Sequence, residues 1–170
     1  MRKKLLISSI FCLIAFSAQG SEIIGAFGKA FGEVYEGKST LGTSSAGENI
    51  YSFIPKNPHP AFKKYGVILT PKTKKISEIW AWGYFENSSK CKSEFAVIEI
   101  LLDKKYESLK SKYSFSMDSS NASYGSENRR ISLRCPIEFG DTPLYLQYID
   151  KDMQRLALEE KAEDQNSDGF

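Results

Sequence analysis

Alternation between apolar and polar residues predicts β-strands in the middle of the chain. The segment Ile76 to Phe85 has the strongest strand pattern, and a short polar connection beginning at Pro71 separates it from the apolar run Tyr65 to Thr70. Two such runs joined by a few turn residues are typical of an antiparallel hairpin. An earlier strand is predicted at Tyr51 to Ile54, because Pro55 cannot continue it.

Helical spacing of apolar residues predicts three helices. The strongest set is Phe95, Ile98, Leu102, Tyr106 and Leu109. These positions form one apolar face of a helix that we expect to be capped by Ser88 or Ser89. A weaker pattern over residues 23–36 contains three glycines, so a helix there depends on packing for its stability. Asp150 or Asp152 can cap a final helix.

Three more strands are predicted after the strongest helix. They are Tyr113 to Met117, Arg130 to Ile137 and Leu144 to Ile149, and a Ser/Asn-rich turn over residues 118–128 separates the first two. Each of these apolar runs is short and is bounded by turn-forming residues, as strands in antiparallel sheets are.

The order of these elements predicts one α+β domain over residues 21–163. Residues 23–85 and 91–149 each read as a helix followed by three strands, so the two αβββ units can share an antiparallel sheet with their helices on one face. A C-terminal helix follows, and residues 164–170 are expected to be disordered.

The first 20 residues have the pattern of a cleavable signal peptide. Basic residues 2–4 precede an apolar run from Leu5 to Phe16, and small residues follow at Ala18 and Gly20. The run is about 12 residues long, whereas a membrane-spanning helix needs about 20. We therefore expect a mature chain that begins near Ser21, lies in the periplasm or is secreted, and has no stable membrane insertion.

Two cysteines remain after this cleavage, Cys91 and Cys135, and an oxidising compartment favours a disulfide between them. Cys135 alternates in phase with Ile131 and Leu133, so these three side chains share the apolar face of their strand. The helix that starts near Cys91 should then cover that face of the sheet.

The opposite face is the candidate binding surface. In the strand from residue 76 to 85, one alternating set is Ile79, Ala81, Gly83 and Phe85, and the other is Ile76, Glu78, Trp80, Trp82 and Tyr84. The first set contains small residues that suit a close helix. The second set would form an aromatic stripe on the uncovered face.

The candidate binding residues are Trp80, Trp82, Tyr84, Arg130 and Arg134, since aromatic and arginine side chains are enriched at binding hot spots. The alternative is that these rings are core and pack against the loop 37–49 or a helix.

Composition excludes several kinds of chemistry. The full chain has 23 basic and 21 acidic residues, which is far from the basic excess of a nucleic-acid-binding protein. Its single histidine, His59, lies in a proline-flanked loop, and no pair of carboxylates has the spacing of an acid–base pair. We therefore predict no enzyme activity, no metal and no cofactor. The excess of basic residues in 56–112 is either surface scatter or a face that attracts an acidic partner or the anionic envelope.

The layout resembles that of known exported domains. The opening Gly-Ala-Phe-Gly-Lys-Ala-Phe-Gly at residues 25–32 is similar to the glycine-containing first helix of αβββ modules in beta-lactamase-inhibitor-like domains and in the small lipoprotein of the outer-membrane protein assembly machinery. The chain lacks that lipoprotein's lipid-attachment cysteine. The resemblance implies a non-catalytic domain that binds another protein with its sheet or its loops.

Together these patterns predict a binding protein, of the inhibitor or immunity kind, that engages an unknown protein partner through the open face of its sheet. A structural envelope protein or a small-ligand-binding protein is the alternative, and it would have a closed apolar cavity between helices and sheet. A hydrolase is the third class, and it would need titratable groups that converge in a pocket.

Overall fold

A computed structural model describes residues 22–106, 109–110, 119–136 and 141–167. The predicted signal peptide and the predicted strand at Tyr113 to Met117 lie outside these residues. The described elements, in chain order, are β1 (Gly25–Ala26), β2 (Lys29–Ala30), β3 (Thr40–Thr43), β4 (Asn49–Ser52), β5 (Lys64–Leu69), β6 (Ile76–Phe85), α1 (Ser88–Tyr106), β7 (Ser119–Gly125), β8 (Arg129–Pro136), β9 (Thr142–Asp150) and α2 (Lys151–Ser167).

The protein has the predicted α+β class. Seven strands form an antiparallel sheet in the order β3-β4-β5-β6-β9-β8-β7, and β1 and β2 form a separate small hairpin. Each half of the chain contributes strands that pair in sequence, and the halves meet where β6 pairs with β9. The predicted strands at 65–70, 76–85, 130–137 and 144–149 are confirmed as β5, β6, β8 and β9, within two residues at each described end.

The helix predicted over residues 23–36 is wrong. This segment contains the β1–β2 hairpin and turns, because Gly28 and Gly32 have φ values of 81° and 75°, which lie outside the helical region. The apolar spacing arises because Phe27 and Phe31 pack on the main core from these turns. Only the second half of the chain therefore has the αβββ order.

Two further boundaries differ from the sequence prediction. Residues 119–125 of the predicted turn form the edge strand β7. The helix α2 continues to Ser167, into the segment for which disorder was predicted. At the start of α1, the Oδ1 atom of Asn87 accepts a hydrogen bond from the backbone N–H of Lys90 at 2.9 Å, so the cap is Asn87 rather than Ser88 or Ser89.

The main hydrophobic core lies between α1 and one face of the sheet. The helix buries five residues, Cys91, Phe95, Ile98, Leu102 and Tyr106. Below them lie the inward-facing residues of β6, β8 and β9, which include Ile79, Ala81, Ile131, Leu133, Leu144 and Leu146. This is the face that the alternation in β8 predicted to be apolar. Gly83 also lies on it, but its close neighbour is the carbonyl oxygen of Ala61, only 2.0 Å from where a Cβ atom would stand, rather than the helix.

Two contacts hold α1 on this face, one near each end of the helix. The predicted disulfide between Cys91 and Cys135 is present and joins the first turn of α1 to β8. Toward the other end, the hydroxyl of Tyr124 on β7 donates to a carboxylate oxygen of Asp103 at 2.6 Å. Burial alone would raise the pKa of Asp103, but hydrogen bonds from Lys110 and Tyr124 outweigh it and lower the pKa.

The helix α2 lies at one end of the sheet. Asp150 caps it by accepting a hydrogen bond from the backbone N–H of Met153 at 3.0 Å, as predicted. The carboxylate of Glu160 accepts hydrogen bonds from the backbone N–H groups of Lys72 and Thr73 in the β5–β6 turn. No described helix is long and apolar enough to cross a membrane.

Loss of the disulfide should weaken the fold. It closes a loop with a sequence separation of 44 residues, for which the chain-entropy model gives a stabilisation of up to about 4 kcal/mol. We expect the double variant Cys91→Ala/Cys135→Ala to unfold in urea with a free energy about 2–4 kcal/mol below that of the oxidised protein. Dithiothreitol should destabilise the wild type by a similar amount and leave the double variant unchanged. An unchanged urea midpoint in the double variant would show that the link is dispensable.

Candidate binding groove on the open face of the sheet

A row of side chains crosses the sheet on the face opposite α1. Strand pairing places Lys64 of β5 beside Trp82 of β6, Trp82 beside Tyr145 of β9, Tyr145 beside Arg134 of β8, and Arg134 beside Asn121 of β7. Residues that are directly paired in neighbouring strands point to the same side of the sheet. The row therefore brings two of the predicted site residues, Trp82 and Arg134, onto one surface with three others.

The three aromatic residues predicted on β6 lie on this face but differ in exposure. Trp82 is 9% exposed, Trp80 is half-buried and Tyr84 is 51% exposed. Trp82 belongs to a small second core, as the core alternative predicted, while Tyr84 is displayed to solvent. Ile76 was assigned to the same set, but a β-bulge between Ile76 and Glu78 turns it to the α1 side, where it is buried.

The second core forms where the β3–β4 hairpin, at one edge of the sheet, places apolar side chains on the open face. Ile50 of β4 and Leu41 of β3 contact the cluster that contains Ile68 and Trp82. Gly66 makes this approach possible, since a Cβ atom there would stand 2.4 Å from Cγ2 of Ile50 and 3.4 Å from Cδ1 of Leu41. The hairpin therefore forms a wall along one side of the face.

The wall and the sheet form the sides and the floor of an open groove with a volume of about 690 Å³. Its lining residues are Leu41, Gly42, Thr43, Ser44, Ser45, Ile50, Lys64, Trp80, Trp82, Tyr84, Asn121, Arg134, Pro136 and Tyr145. The wall supplies hydroxyl groups, the floor supplies aromatic rings, and the far side supplies Arg134 and Asn121. All five residues of the cross-strand row belong to this lining.

A buried carboxylate fixes the position of Trp80. Glu78 is 6% exposed, and its Oε2 atom accepts hydrogen bonds from the indole N–H of Trp80 at 2.9 Å and from the side-chain amide of Gln147 at 2.8 Å. The other carboxylate oxygen accepts a hydrogen bond from Gln154 of α2. These three donors satisfy the hydrogen-bonding capacity of the Glu78 carboxylate. They also hold the indole ring of Trp80 in one orientation and connect the end of the groove to α2.

The charged groups in the described lining of the groove are both positive. Lys64 and Arg134 are exposed, and neither forms an ion pair with another described residue. Arg130, the second predicted arginine, is also exposed on this face, but it lies beside Ile149 and outside the groove. The structure therefore brings four of the five predicted binding residues together and leaves Arg130 apart.

His59 has a local structural role. Its Nδ1 atom accepts a hydrogen bond from the backbone N–H of Ala61 at 3.2 Å. Its own backbone N–H donates to the hydroxyl of Tyr65, and this hydroxyl donates to the backbone carbonyl of His59. It borders a smaller cavity of about 230 Å³ beside α1, where the described lining contains no carboxylate or thiol. In the part of the chain that the structure covers, no group of three or more His, Cys, Asp and Glu side chains could hold a metal ion.

Sequence reasoning missed several residues of the groove. Tyr145 had a detectable signal, because it alternates with the buried Leu144 and Leu146 of β9. Lys64 and Asn121 had none, since their place beside the aromatic residues depends on the strand order β5-β6-β9-β8-β7. In the β3–β4 wall, β3 was predicted as part of the Gly/Ser/Thr loop 37–49, and β4 overlaps the strand predicted at Tyr51 to Ile54.

The fold and the groove define an α+β protein with one helix-covered face and one open, concave face. Comparisons with protein-family models, with curated proteins and with solved structures found no match for the chain.

Two neighbouring residues of the aromatic stripe should respond differently to truncation. We expect Trp82→Ala to lower the free energy of unfolding by about 3–5 kcal/mol, because it empties the second core. Tyr84→Ala, two residues along the same strand, should change it by less than about 0.5 kcal/mol, because half of that side chain is already in solvent. Urea unfolding followed by circular dichroism measures both. Equal, small losses would show that Trp82 is not a core residue.

Proposed function

We propose that this chain is a non-catalytic, exported binding protein that holds a segment of a protein partner in the groove on its open face. The single observation that carries the proposal is the cross-strand row from Lys64 to Asn121, set between the β3–β4 wall and the β7 edge of the sheet. Concave sites built on strands are largely formed before a ligand arrives, so less ordering entropy is lost on binding.

The residue types in the groove support binding. Trp, Tyr and Arg are the side chains most enriched at interface hot spots, and Trp80, Tyr84 and Arg134 are all at least partly accessible. Trp80 is held by its hydrogen bond to Glu78, and the backbones of all three residues belong to interior strands of the sheet. Rigid aromatic anchors contribute contact area with little loss of rotamer entropy on binding.

The chemistry of the lining supports binding rather than catalysis. Lys64 and Arg134 are its ionisable groups besides tyrosine, and the described lining itself contains no carboxylate or imidazole. The hydroxyl of Ser44 donates a hydrogen bond at 3.5 Å to Glu48, a carboxylate outside the lining that is also paired with Lys161. The disulfide supports export, since such bonds persist in oxidising compartments. The order of α1, β7, β8 and β9 is that of an αβββ module. We therefore retain the resemblance to inhibitor-like αβββ modules in this proposal.

A small-ligand-binding protein is the second candidate, and the volume of the groove favours it. Sites for small ligands typically enclose roughly 300–1,000 Å³, and the groove has about 690 Å³. A small ligand would be recognised by the same residues but would co-purify as a low-mass species rather than as a protein.

Capture from the native envelope and secreted fraction tests the proposal. The bait is the exported, oxidised protein, and the groove variant is Tyr84→Ala/Arg134→Ala, which alters two exposed side chains. We expect the wild type to recover one protein in about equal amount to the bait, and the groove variant to recover at least tenfold less, because it removes two anchors of the interface. Quantitative mass spectrometry of the eluates measures this ratio.

A matched control lies on the other side of the molecule. Val97 and Ile100 are 49% and 67% exposed on α1, so Val97→Ala/Ile100→Ala changes the surface of the helix and leaves the groove intact. The control should capture as much partner as the wild type. Full capture by the groove variant would refute the proposal, whether or not the control loses capture. A low-mass species in native mass spectra that is lost only from the groove variant would establish the second candidate instead.

A further inference from the structure

The two cations of the groove stand at opposite ends of its aromatic floor. Lys64 and Arg134 lie on β5 and β8, with β6 and β9 between them, and they share one row across these strands. Neighbouring strands are about 4.8 Å apart, so three spacings separate the two backbones by about 14 Å. Trp82 and Tyr145 occupy the positions between them.

No negative charge in the described lining compensates these cations. Glu78 lies on the same face two rows away from Trp82, and its carboxylate already accepts hydrogen bonds from Trp80, Gln147 and Gln154. Two unpaired positive charges in a concave site raise the local concentration of anionic groups and favour a ligand that carries negative charge.

The floor between the cations favours a peptide over a glycan. A sugar ring stacks on an exposed aromatic face, but Trp82 is 9% exposed and packs against Ile50 and Ile68. Trp80 and Tyr145 are half-buried, so part of each ring is withdrawn from solvent at the centre of the floor. Such a surface suits an apolar or aromatic side chain that is inserted between two charged contacts.

The separation of the cations matches the repeat of an extended peptide. Side chains at positions i, i+2 and i+4 of a strand point to the same side, and about 3.4 Å per residue places the outer two about 14 Å apart. We propose that the partner segment held in the groove is acidic, with one carboxylate bound by Lys64, a second bound by Arg134, and an apolar side chain between them over Trp82 and Tyr145. This inference rests on the proposed function and adds the chemistry of the partner to it.

The chain carries its own reporter for this test. It has two tryptophans, and both line the groove. The probe is the synthetic acetylated and amidated peptide Ser-Glu-Ser-Phe-Ser-Glu-Ser, and the matched peptide has glutamine in place of both glutamates. We expect the acidic peptide to change the tryptophan emission in a saturable way. The glutamine peptide should bind about tenfold more weakly, at roughly threefold for each lost ion pair.

Protein variants assign the effect to the two cations. Lys64→Gln and Arg134→Gln should each weaken the acidic peptide about threefold and leave the glutamine peptide unchanged, because only charged contacts are removed. Arg130→Gln is the control, since Arg130 is an exposed arginine on the same face outside the groove. It should leave both affinities unchanged. Raising the salt concentration from 0.05 to 0.5 M should weaken only the acidic peptide.

Three results would overturn the inference. They are equal binding of the two peptides, no saturable change in emission up to millimolar acidic peptide, and a stronger response to an oligosaccharide of uronic acids or to vesicles containing phosphatidylglycerol than to the peptide. Each of them leaves the capture experiment unaffected. If Tyr84→Ala/Arg134→Ala still loses the partner there, the groove binds a protein of different chemistry; if it does not, the proposed function itself fails.

Discussion

The attachment of α1 to one face of the sheet determines what the other face can do. The Cys91–Cys135 disulfide holds the first turn of the helix over β8, and the hydrogen bond from Tyr124 to Asp103 holds its later turns over β7. The apolar face of the sheet is thereby buried. Among the described elements, no helix covers the centre of the opposite face, and α2 reaches it only at the end of the sheet, where Gln154 contacts Glu78. The protein must stabilise this open face by other means.

It does so with its own β3–β4 hairpin, and this arrangement creates the groove. Without a side chain at Gly66, Ile50 and Leu41 reach the open face and bury Trp82, which leaves Trp80, Tyr84 and Tyr145 partly accessible beside them. One aromatic stripe therefore serves both stability and recognition. The packing of Trp82 and the hydrogen bond from Trp80 to Glu78 pre-organise part of this surface, which reduces the ordering entropy lost on binding.

The elements that were predicted most accurately are those with a local sequence pattern. β6 is recovered at both ends, since its alternation runs over ten residues and turn residues bound it. The edge strand β7 was missed because Ala122 and Tyr124 are its fully buried side chains, too few to show a period of two. The helix at 23–36 was predicted wrongly because Phe27 and Phe31, which pack on the core from turns, reproduced helical spacing. The open face was predicted from β6 and β8 alone, but the row from Lys64 to Asn121 depends on strand pairings between distant parts of the chain, which no local pattern encodes.

The central claim is that the open face, and not the helical face, contacts the partner. Chemical-shift mapping of the isotopically labelled protein with the captured partner tests it most directly. The account predicts that the largest shifts fall on the two indole N–H groups and on the backbone amides of β6, β8 and β9 that border the groove, with α1 unchanged. Shifts concentrated on the exposed residues of α1, with both indole signals unmoved, would contradict it.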